Sequence, residues 1–431
     1  MSHQLTRRQL IARFGAAAFA STGLFGVSNA AFANNAAHIV IVGGGVGGAS
    51  AAKYLRLLDA TIRITLIEPN PTHVFCPGSN EVLTGHETLE NLTFDYSTMR
   101  SRYGVNVIQA RALDINYAAR QLRLSNGDVV GYDKLIVSPG PDDRYDLIDG
   151  YTRELAEGAF PHAWKAGAQT LKLKQQIESM PQGGKLVISA PQAPYRCPPA
   201  PYERASFIAN QLKQTNPTAK IIILDNKDTF VFDKQFMDYW AKHHGYGTDN
   251  ARIEWVPANK GGKVIALDAN SKTVIMTGGQ IKADVINIIP AERAGKFTVD
   301  TGLTQGKQWV PVQAKTFASV IDHNVFVIGD SVDMPMPKTG YIASNQAKVV
   351  VQAIVDILAG RDPATPFITN NCVAMAAEDY GMTITATFRF AGDHYAVQER
   401  RSVVDGNEYV AHLRASVAKN WQRTFRKDIA G

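Results

Sequence analysis

Three cysteines are the side chains of this 431-residue sequence best suited to redox chemistry, and they lie far apart, at Cys76, Cys197 and Cys372. No Cys-x-x-Cys pair and no cluster of cysteine with histidine accompanies them. This spacing argues against a zinc site or an iron–sulfur centre, so no metal is predicted. In an exported protein an odd number of cysteines indicates one disulfide and one thiol with another role. The elements around each cysteine must show which thiol that is.

The first residues predict export. Thr6-Arg7-Arg8 precedes an apolar run at residues 14–27, and Ala31-Phe32-Ala33 follows as a small-x-small cleavage site. The run is shorter than the about 20 residues that a membrane-spanning helix needs. Residues 1–33 are therefore interpreted as the twin-arginine signal peptide of a periplasmic protein, with an uncleaved amphipathic anchor as the alternative. Such signals are typical of proteins that fold around a tightly held cofactor before export.

The charge balance excludes some classes of partner. Lys and Arg number 45 against 39 Asp and Glu, and removal of the signal peptide takes away three arginines and no acid, which leaves a net charge of +3. No basic run is interleaved with aromatic residues, so no nucleic-acid partner is predicted. The adjacent His243 and His244 point in different directions on a helix. They indicate a basic helix C-terminus that ends at Gly245, and not a metal site.

A dinucleotide-binding unit opens the mature chain. A β-branched strand at residues 38–42 leads into G-x-G-x-x-G, whose glycines are Gly43, Gly45 and Gly48. A helix of small residues and a second strand follow, and this strand ends at Glu68. The glycines allow a pyrophosphate to approach a helix N-terminus, and the acid can accept hydrogen bonds from a ribose. This complete strand, turn, helix, strand and acid pattern predicts a dinucleotide site.

Two later segments predict FAD at that site. A hairpin at residues 121–138 closes at a sharp turn containing Gly140, and a strand at residues 325–328 ends in Gly-Asp at Asp330. These segments resemble the paired signatures of flavoproteins with two dinucleotide-binding domains, in which the Gly-Asp carboxylate holds the ribityl chain of FAD. The alternative role for Asp330 is N-cap of the helix at residues 340–358.

A second α/β unit lacks the phosphate-binding loop of a nicotinamide site. Its first two strands lie at residues 185–190 and 221–225, and the loop between them, residues 191–199, is rich in proline and contains Cys197. Proline has no N–H to donate to a pyrophosphate. The sequence therefore predicts that electrons do not come from NAD(P)H, and that a cysteine takes the place of the phosphate cradle.

The expected fold class is α/β, a two-dinucleotide-binding-domain flavoprotein of the glutathione-reductase type. It would have two Rossmann-like domains and a C-terminal α+β interface domain. The predicted boundaries are 34–148 for the first part of the FAD domain, 149–280 for the degenerate nicotinamide-type domain, 281–360 for the second part of the FAD domain and 361–431 for the interface domain.

Several short motifs make the resemblance specific; they lie at residues 43–48, 65–70, 79–82, 161–167, 196–199, 201–206 and 336–338. Together they resemble the flavoprotein subunit of flavocytochrome c sulfide dehydrogenase, with sulfide:quinone oxidoreductases as more distant relatives. The resemblance runs from about residue 36 to about residue 380. The last fifty residues match far less clearly.

The resemblance implies roles for the cysteines and two charged residues. Cys76 matches the cysteine that bonds covalently to the flavin 8α carbon, although its neighbours Pro and Gly are smaller than in the relatives; a plain thiol is the alternative. Cys197 and Cys372 match a redox-active disulfide over the flavin, against which a structural disulfide remains possible. Lys338 would compensate negative charge at the flavin N1, unless it is a solvated loop lysine. Glu203 is the candidate proton-transfer group, because burial would raise its pKa.

The alternative role for Glu203 is a salt bridge to Arg204 or another cation.

The implied function is oxidation of sulfide to sulfur or polysulfide, with electrons passed singly to a haem-bearing cytochrome c subunit in a heterodimer. The C-terminal region, with strand-like alternation at residues 383–390 and a basic aromatic end at residues 421–427, would contact that cytochrome or, as in the quinone-reducing relatives, a membrane. The exported context favours the cytochrome. Two alternatives stay open: a sulfide:quinone oxidoreductase on the outer face of the cytoplasmic membrane, and a non-catalytic flavoprotein that reactivates a periplasmic sulfur-oxidising complex.

Overall fold

The structure is a computed structural model that describes residues 36–402 and 408–431. The twin-arginine motif and the cleavage site lie outside these residues. Among the residues described, no helix is long and apolar enough to cross a bilayer.

The strands are, in chain order, β1 (His38–Val42), β2 (Arg63–Ile67), β3 (Thr72–Val74), β4 (Thr93–Asp95), β5 (Asn106–Ile108), β6 (Ala112–Asn116), β7 (Gln121–Leu124), β8 (Val129–Gly131), β9 (Lys134–Val137), β10 (Pro141–Arg144), β11 (Lys185–Ala190), β12 (Lys220–Asp225), β13 (Ile253–Val256), β14 (Val264–Asp268), β15 (Thr273–Met276), β16 (Gly279–Lys282), β17 (Val285–Ile288), β18 (Ala291–Ala294), β19 (Val325–Val327), β20 (Phe367–Ala377), β21 (Tyr380–Phe390) and β22 (Tyr395–Ser402).

The helices are α1 (Val46–Leu58), α2 (Ser79–Leu83), α3 (Leu89–Leu92), α4 (Ser97–Ser101), α5 (Arg153–Glu157), α6 (Ala168–Glu178), α7 (Ala200–Thr215), α8 (Asp233–His244), α9 (Lys296–Asp300), α10 (Gly340–Leu358) and α11 (Glu408–Ala430). Short 3-10 turns lie at Tyr145–Leu147, Ala258–Lys260 and Gly329–Ser331.

The first sheet has five parallel strands in the order β19-β9-β1-β2-β5. Its three strands β1, β9 and β19 are apolar along nearly their whole length and buried, as expected for a parallel sheet covered on both faces. Helices α1 and α10 pack together through small residues, and the hydroxyls of Ser50 and Ser344 lie 3.1 Å apart. The glycine turn, Gly140 and Asp330 therefore all follow strands of one sheet at the same edge.

The second sheet has four parallel strands in the order β13-β12-β11-β17. Strand β17, which follows residue 280, pairs with β11 and so belongs to this sheet. The sequence alone does not assign this strand, because a short apolar strand can belong to either sheet until its partner is known. Strand β18 then returns to pair antiparallel with β10, which joins the two units.

The C-terminal region forms an antiparallel sheet, β20-β21-β22, followed by α11. The predicted alternation at residues 383–390 lies within β21. Helix α11 packs closely on β21, since a Cβ on Gly381 would lie 2.4 Å from the backbone nitrogen of Ala415. The α/β fold class with two Rossmann-like units and a C-terminal α+β region is thus confirmed.

Candidate functional site

The glycine turn between β1 and α1 is built for close backbone approach. A Cβ on Gly48 would lie 1.8 Å from the carbonyl oxygen of Gly43, and one on Gly43 would lie 2.2 Å from the carbonyl oxygen of Ser138. Gly43 also has a φ of +95°, which disfavours other residues. A Cβ on Gly45 would meet only the ring of His73, at 3.3 Å. Gly43 and Gly48 are needed by the protein itself, while Gly45 leaves space for a phosphate at the start of α1.

Glu68 is held at the edge of this turn. One carboxylate oxygen accepts a hydrogen bond of 2.8 Å from the backbone nitrogen of Gly44, and the other accepts from the backbone and side chain of Asn70. An ionised carboxylate has about four acceptor positions, so one remains available for a ribose hydroxyl. The predicted role of Glu68 fits its position.

Gly140 and Asp330 meet across the sheet edge. The carbonyl of Gly140 accepts a hydrogen bond of 2.6 Å from the hydroxyl of Ser331, the neighbour of Asp330 in the turn after β19. The N-cap of α10 is Thr339, which accepts from the backbone nitrogen of Ile342. Asp330 is therefore not a helix cap. Within the described part of the chain its carboxylate accepts no hydrogen bond from protein, so it is free to bind a ligand hydroxyl.

Lys338 joins this turn to the second unit. Its ammonium donates to the carbonyl oxygens of Asp330 at 2.7 Å and Val332 at 3.0 Å, and it lies 3.5 Å from the centre of the Trp309 ring. Burial lowers the pKa of Lys338 to about 8. The lysine's own carbonyl accepts a hydrogen bond of 2.8 Å from the backbone nitrogen of Cys197. Lys338 is therefore a buried brace and not a solvated loop residue.

Cys197 and Cys372 approach each other from different elements. Cys197 lies in the loop before α7 with a φ of +54°, an unfavourable value for a residue with a side chain. Cys372 lies on β20, and both side chains pack against the same apolar cluster of the second unit. Burial raises the pKa of Cys197, and the nearby Cys372 raises it further; burial also raises the pKa of Cys372 to about 12. Each is a free thiol in this structure, so their pairing stays a prediction.

Glu203 connects the two cysteine-bearing elements. It lies in the first turn of α7, six residues after Cys197, and its Oε1 accepts a hydrogen bond of 2.9 Å from the backbone nitrogen of Met375, three residues after Cys372. Its Oε2 accepts from the amide of Asn80 at 2.7 Å. Burial raises the pKa of Glu203 to about 7, which agrees with the predicted direction.

The alternative for Glu203, a salt bridge to Arg204, does not form. The Arg204 guanidinium is buried and donates to Asn80 Oδ1 at 3.0 Å, to Asn287 Oδ1 at 2.7 Å and to the carbonyl oxygens of His162 and Ala163. The motifs at residues 79–82, 161–167 and 201–206 are thus one hydrogen-bonded network. Asn80 contacts both Glu203 and Arg204, so it fixes the position of the carboxylate.

Cys76 lies in the loop between β3 and α2, and it is half-buried. Its backbone carbonyl accepts a hydrogen bond of 3.0 Å from the nitrogen of Ser79. Burial by itself would lower the pKa of Arg196, but the neighbouring Cys76, Glu292 and Asp330 outweigh this effect, so the pKa of Arg196 is raised. The buried guanidinium of Arg196 thus lies near Cys76, the candidate for covalent attachment, and near the two acids Asp330 and Glu292.

Arg196 and Glu292 are site residues that sequence reasoning missed. Both oxygens of the fully buried Glu292 carboxylate face Arg196: Oε2 accepts from its backbone nitrogen at 2.7 Å, and Oε1 lies 3.6 Å from its guanidinium. Burial raises the pKa of Glu292 to about 7. The available signal was a charged pair, Glu292 and Arg293, between the apolar strand that ends at Ile288 and Gly295.

Unpartnered buried atoms near this pair fit a polar cofactor. Glu292 Oε1 and the indole nitrogens of Trp164 and Trp309 have no hydrogen-bond partner. Buried polar groups normally have one, so a ligand with hydroxyl and carbonyl groups would satisfy them. Together with the glycine turn, Glu68 and the free Asp330 carboxylate, these atoms fit FAD.

In the second unit, the acid that ends β12 is already saturated. Asp225 is buried and accepts four hydrogen bonds: from the Tyr202 hydroxyl at 2.5 Å, the Trp255 indole at 2.9 Å, and the ammonium and backbone nitrogen of Lys227 at 2.5 and 3.1 Å. In a nicotinamide module this position holds a ribose. The buried Tyr195 ring lies 5.0 Å from the same ammonium and occupies the loop. The structure thus adds a second obstacle to nucleotide binding beside the prolines.

We expect NADH and NADPH to leave the flavin oxidised, because neither a phosphate cradle nor a free ribose acceptor exists in the second unit. The measurement is anaerobic absorbance of the flavin with a tenfold excess of each nucleotide, with dithionite as the positive control. Flavin bleaching within a turnover time by either nucleotide would contradict this interpretation of Asp225 and its partners.

His243 and His244 end α8, and Gly245 follows in the left-handed conformation with a φ of +66°. The predicted helix C-terminus is confirmed. His244 contacts Asn210 Oδ1 at 3.0 Å. In the part of the chain that the structure describes, no group of three potential ligands is arranged for a metal ion.

The fold and the site define a flavin-dependent oxidoreductase of the pyridine nucleotide-disulphide oxidoreductase architecture. Two family models match the chain: pyridine nucleotide-disulphide oxidoreductase at residues 37–187, and the central domain of the sulfide dehydrogenase [flavocytochrome c] flavoprotein chain at residues 170–290. The second match covers the loop with Cys197, Glu203 and the saturated Asp225.

Similar proteins agree with these matches. A sulfide-quinone reductase of Aquifex aeolicus is 24% identical over 80% of this chain and 83% of its own. A flavocytochrome c sulfide dehydrogenase flavoprotein chain of Chlorobaculum thiosulfatiphilum is 61% identical over 44 residues, 10% of this chain and 92% of that sequence. The crystal structure of the Aquifex aeolicus sulfide:quinone oxidoreductase superposes with a TM-score of 0.68 at 19% identity, covering 92% and 93% of the two chains.

The chain therefore belongs to the family of flavocytochrome c sulfide dehydrogenase flavoprotein chains, related to the sulfide:quinone oxidoreductases. This family consists of FAD-binding oxidoreductases, which confirms the predicted class.

Proposed function

We propose that this protein is a periplasmic sulfide dehydrogenase flavoprotein that passes electrons to a cytochrome c subunit. The observation that carries the proposal is the position of Glu203. It lies in the first turn of α7, just after Cys197, and its carboxylate accepts a hydrogen bond from the strand that bears Cys372. This hydrogen bond connects the elements that bear the two thiols to a proton acceptor with a pKa of about 7. Lys338 in turn connects the loop of Cys197 to the turn that contains Asp330. Bound FAD would accept two electrons there and release them singly.

The first chemical step uses only residues of this chain. Hydrosulfide attacks a disulfide between Cys197 and Cys372, the sulfur–sulfur bond breaks, and the products are one persulfide and one thiolate. Burial raises the pKa of both thiols, so reduced cysteines hold their protons tightly. Glu203 is the group that can take a proton from the incoming sulfide. Asn80 and the Met375 backbone hold its carboxylate in place.

The electron acceptor separates the proposal from its main alternative. The similarity to sulfide:quinone reductases over most of the chain favours a quinone, and Tyr409, Leu413 and Val417 form an exposed apolar row on α11. The predicted aromatic end does not add to that row, because Trp421 and Phe425 pack inward against Tyr341. This packing removes the strongest membrane-binding candidates and supports a cytochrome partner.

The test supplies purified protein with sulfide and either oxidised cytochrome c or a water-soluble quinone. We expect cytochrome reduction at several times the rate of quinone reduction. Faster reduction of the quinone would assign the protein to the quinone-reducing enzymes. Rescue of a sulfur-oxidising complex without sulfide would support the non-catalytic alternative.

We expect the flavin to be bonded to Cys76, since the half-buried loop of this residue lies near the buried Arg196 guanidinium, which Glu292 and Asp330 also approach. Precipitation in acid should leave the flavin on the polypeptide, and Cys76→Ser should release it. The measurement is flavin absorbance in pellet and supernatant. Ser79→Ala, a change in the first residue of α2 after this loop, serves as the control. Free FAD from the unaltered protein would contradict the thioether.

A further inference from the structure

The C-terminal helix α11 contacts both sides of the loop that carries Cys76. The Phe425 ring meets the Phe75 ring edge-on, with centroids 5.5 Å apart, and both rings are buried. On the other side of the cysteine, Gln422 donates to Glu81 Oε1 over 3.1 Å. Phe75 precedes Cys76 directly and Glu81 lies in the helix that follows it. The two contacts therefore fix the backbone before and after the thiol.

The helix is anchored firmly enough to impose this position. Arg426 donates to the carbonyl oxygen of Asn91 in α3. Asp428 accepts a hydrogen bond of 2.7 Å from the hydroxyl of Tyr54 on α1, and the Lys348 ammonium on α10 lies 3.3 Å away. Helix α11 thus binds to both helices that cover the first sheet.

The same helix contacts the start of the dinucleotide cradle. A Cβ on Gly340 would lie 3.6 Å from the Phe425 ring and 3.6 Å from Val46, the first residue of α1, so both side chains lie beside Gly340. Trp421 stacks on Phe425 with centroids 5.1 Å apart, and its indole N–H is buried without a partner. Phe425 therefore links the cradle that would bind FAD to the loop that would bond to it.

We propose that Phe425 and Gln422 are positioning residues for attachment of the flavin. Through Phe75 and Glu81 they hold the Cys76 sulfur where it meets the 8α carbon of a dinucleotide lying in the cradle. The inference rests on the proposed thioether. In that step the S–H bond of Cys76 and one C–H bond at the flavin 8α carbon would break, a carbon–sulfur bond would form, and the flavin ring would take up the two protons and two electrons. An acceptor, the proposed cytochrome or dioxygen, would then remove those electrons.

The experiment uses the full-length chain produced in riboflavin-starved cells, so that it carries no flavin, and then supplied with FAD. Covalent flavin is followed over time by intact mass spectrometry, and hydrogen exchange of residues 72–83 is measured in the same samples. We expect Phe425→Ala to slow attachment roughly a hundredfold, since a shift of about 1 Å from the reacting geometry can cost that factor. Exchange in residues 72–83 should rise, because the loop loses its packing.

Two further variants make the result decisive. Phe425→Leu keeps an apolar group and should slow attachment less, so it covers the case in which the alanine variant does not fold. Leu413→Ala truncates a half-exposed side chain on the same helix and should match the unaltered protein. A normal rate of flavin attachment in a folded Phe425 variant overturns the positioning role of Phe425 and leaves the thioether proposal intact. Absence of covalent flavin in the unaltered chain overturns the thioether proposal, and the inference with it.

Discussion

Sulfide will reduce the flavin of the Cys197→Ser and Cys372→Ser proteins roughly a thousandfold more slowly than that of the unaltered protein, or not at all. One sulfur must carry the persulfide that forms from hydrosulfide, and the other must be the thiolate that leaves. A serine hydroxyl can do neither at neutral pH. Each variant should keep its FAD, because neither cysteine belongs to the glycine cradle or to the Cys76 loop. The measurement is anaerobic flavin bleaching by sulfide in a stopped-flow instrument.

A purely structural disulfide predicts a different pair of results. Loss of such a disulfide would lower the melting temperature and leave bleaching largely intact in the protein that stays folded. Asn371→Ser is the matched control, because Asn371 neighbours Cys372 on β20 and the alternation of the strand places it on the opposite face. Near-normal bleaching by sulfide in either cysteine variant would remove these thiols from the mechanism.

Replacement of Glu203 by glutamine should lower the rate of sulfide-dependent flavin reduction about a hundredfold at pH 8. Burial raises the pKa of Glu203 to about 7, so its carboxylate form increases as pH rises from 6 to 8. A proton acceptor works only as the carboxylate, and the rate of the unaltered protein should rise over this interval. Hydrosulfide also titrates near neutral pH. The informative quantity is therefore the rate of the unaltered protein divided by the rate of Glu203→Gln at each pH.

That ratio should increase with pH and level off above pH 8. Glu254→Gln, a change of an exposed glutamate on β13, should show a constant ratio close to one. The sign for stability is opposite. Native Glu203 binds a proton more tightly than it does in the unfolded chain, so its contribution to the free energy of unfolding falls as pH rises from 4.5 to 7. A flat rate ratio for Glu203→Gln would assign the carboxylate a structural role only.

The order of elements could be predicted because it depends on local patterns. The apolar strands β1, β9 and β19 and the glycine turn carry their own signals, since a buried parallel strand and a close backbone approach each restrict residue type over a few positions. The proline-rich loop at residues 191–199 likewise showed the loss of a phosphate site. For the same reason the end of α8 at His244 was predictable.

Pairings between distant residues could not be predicted in this way. Glu292 lies on β18, but its partner Arg196 lies 96 positions earlier, and only the packing of the loop before α7 against β18 brings them together. The saturation of Asp225 depends on three side chains from different elements. The pairing of β17 with β11 could not be predicted for a similar reason, because β17 joins the second sheet through a hydrogen-bonded partner and not through its composition.

By itself the sequence determined the class of protein, the dinucleotide cradle and the absence of a nicotinamide loop, because each depends on residue types within a short segment. Only the tertiary structure decided that Glu203 bonds the strand of Cys372, that Lys338 braces Asp330 and Cys197, and that α11 encloses the Cys76 loop. These arrangements join residues from 8 to more than 300 positions apart. Their energies come from burial and hydrogen bonds that exist only after the chain has packed, so no local pattern records them.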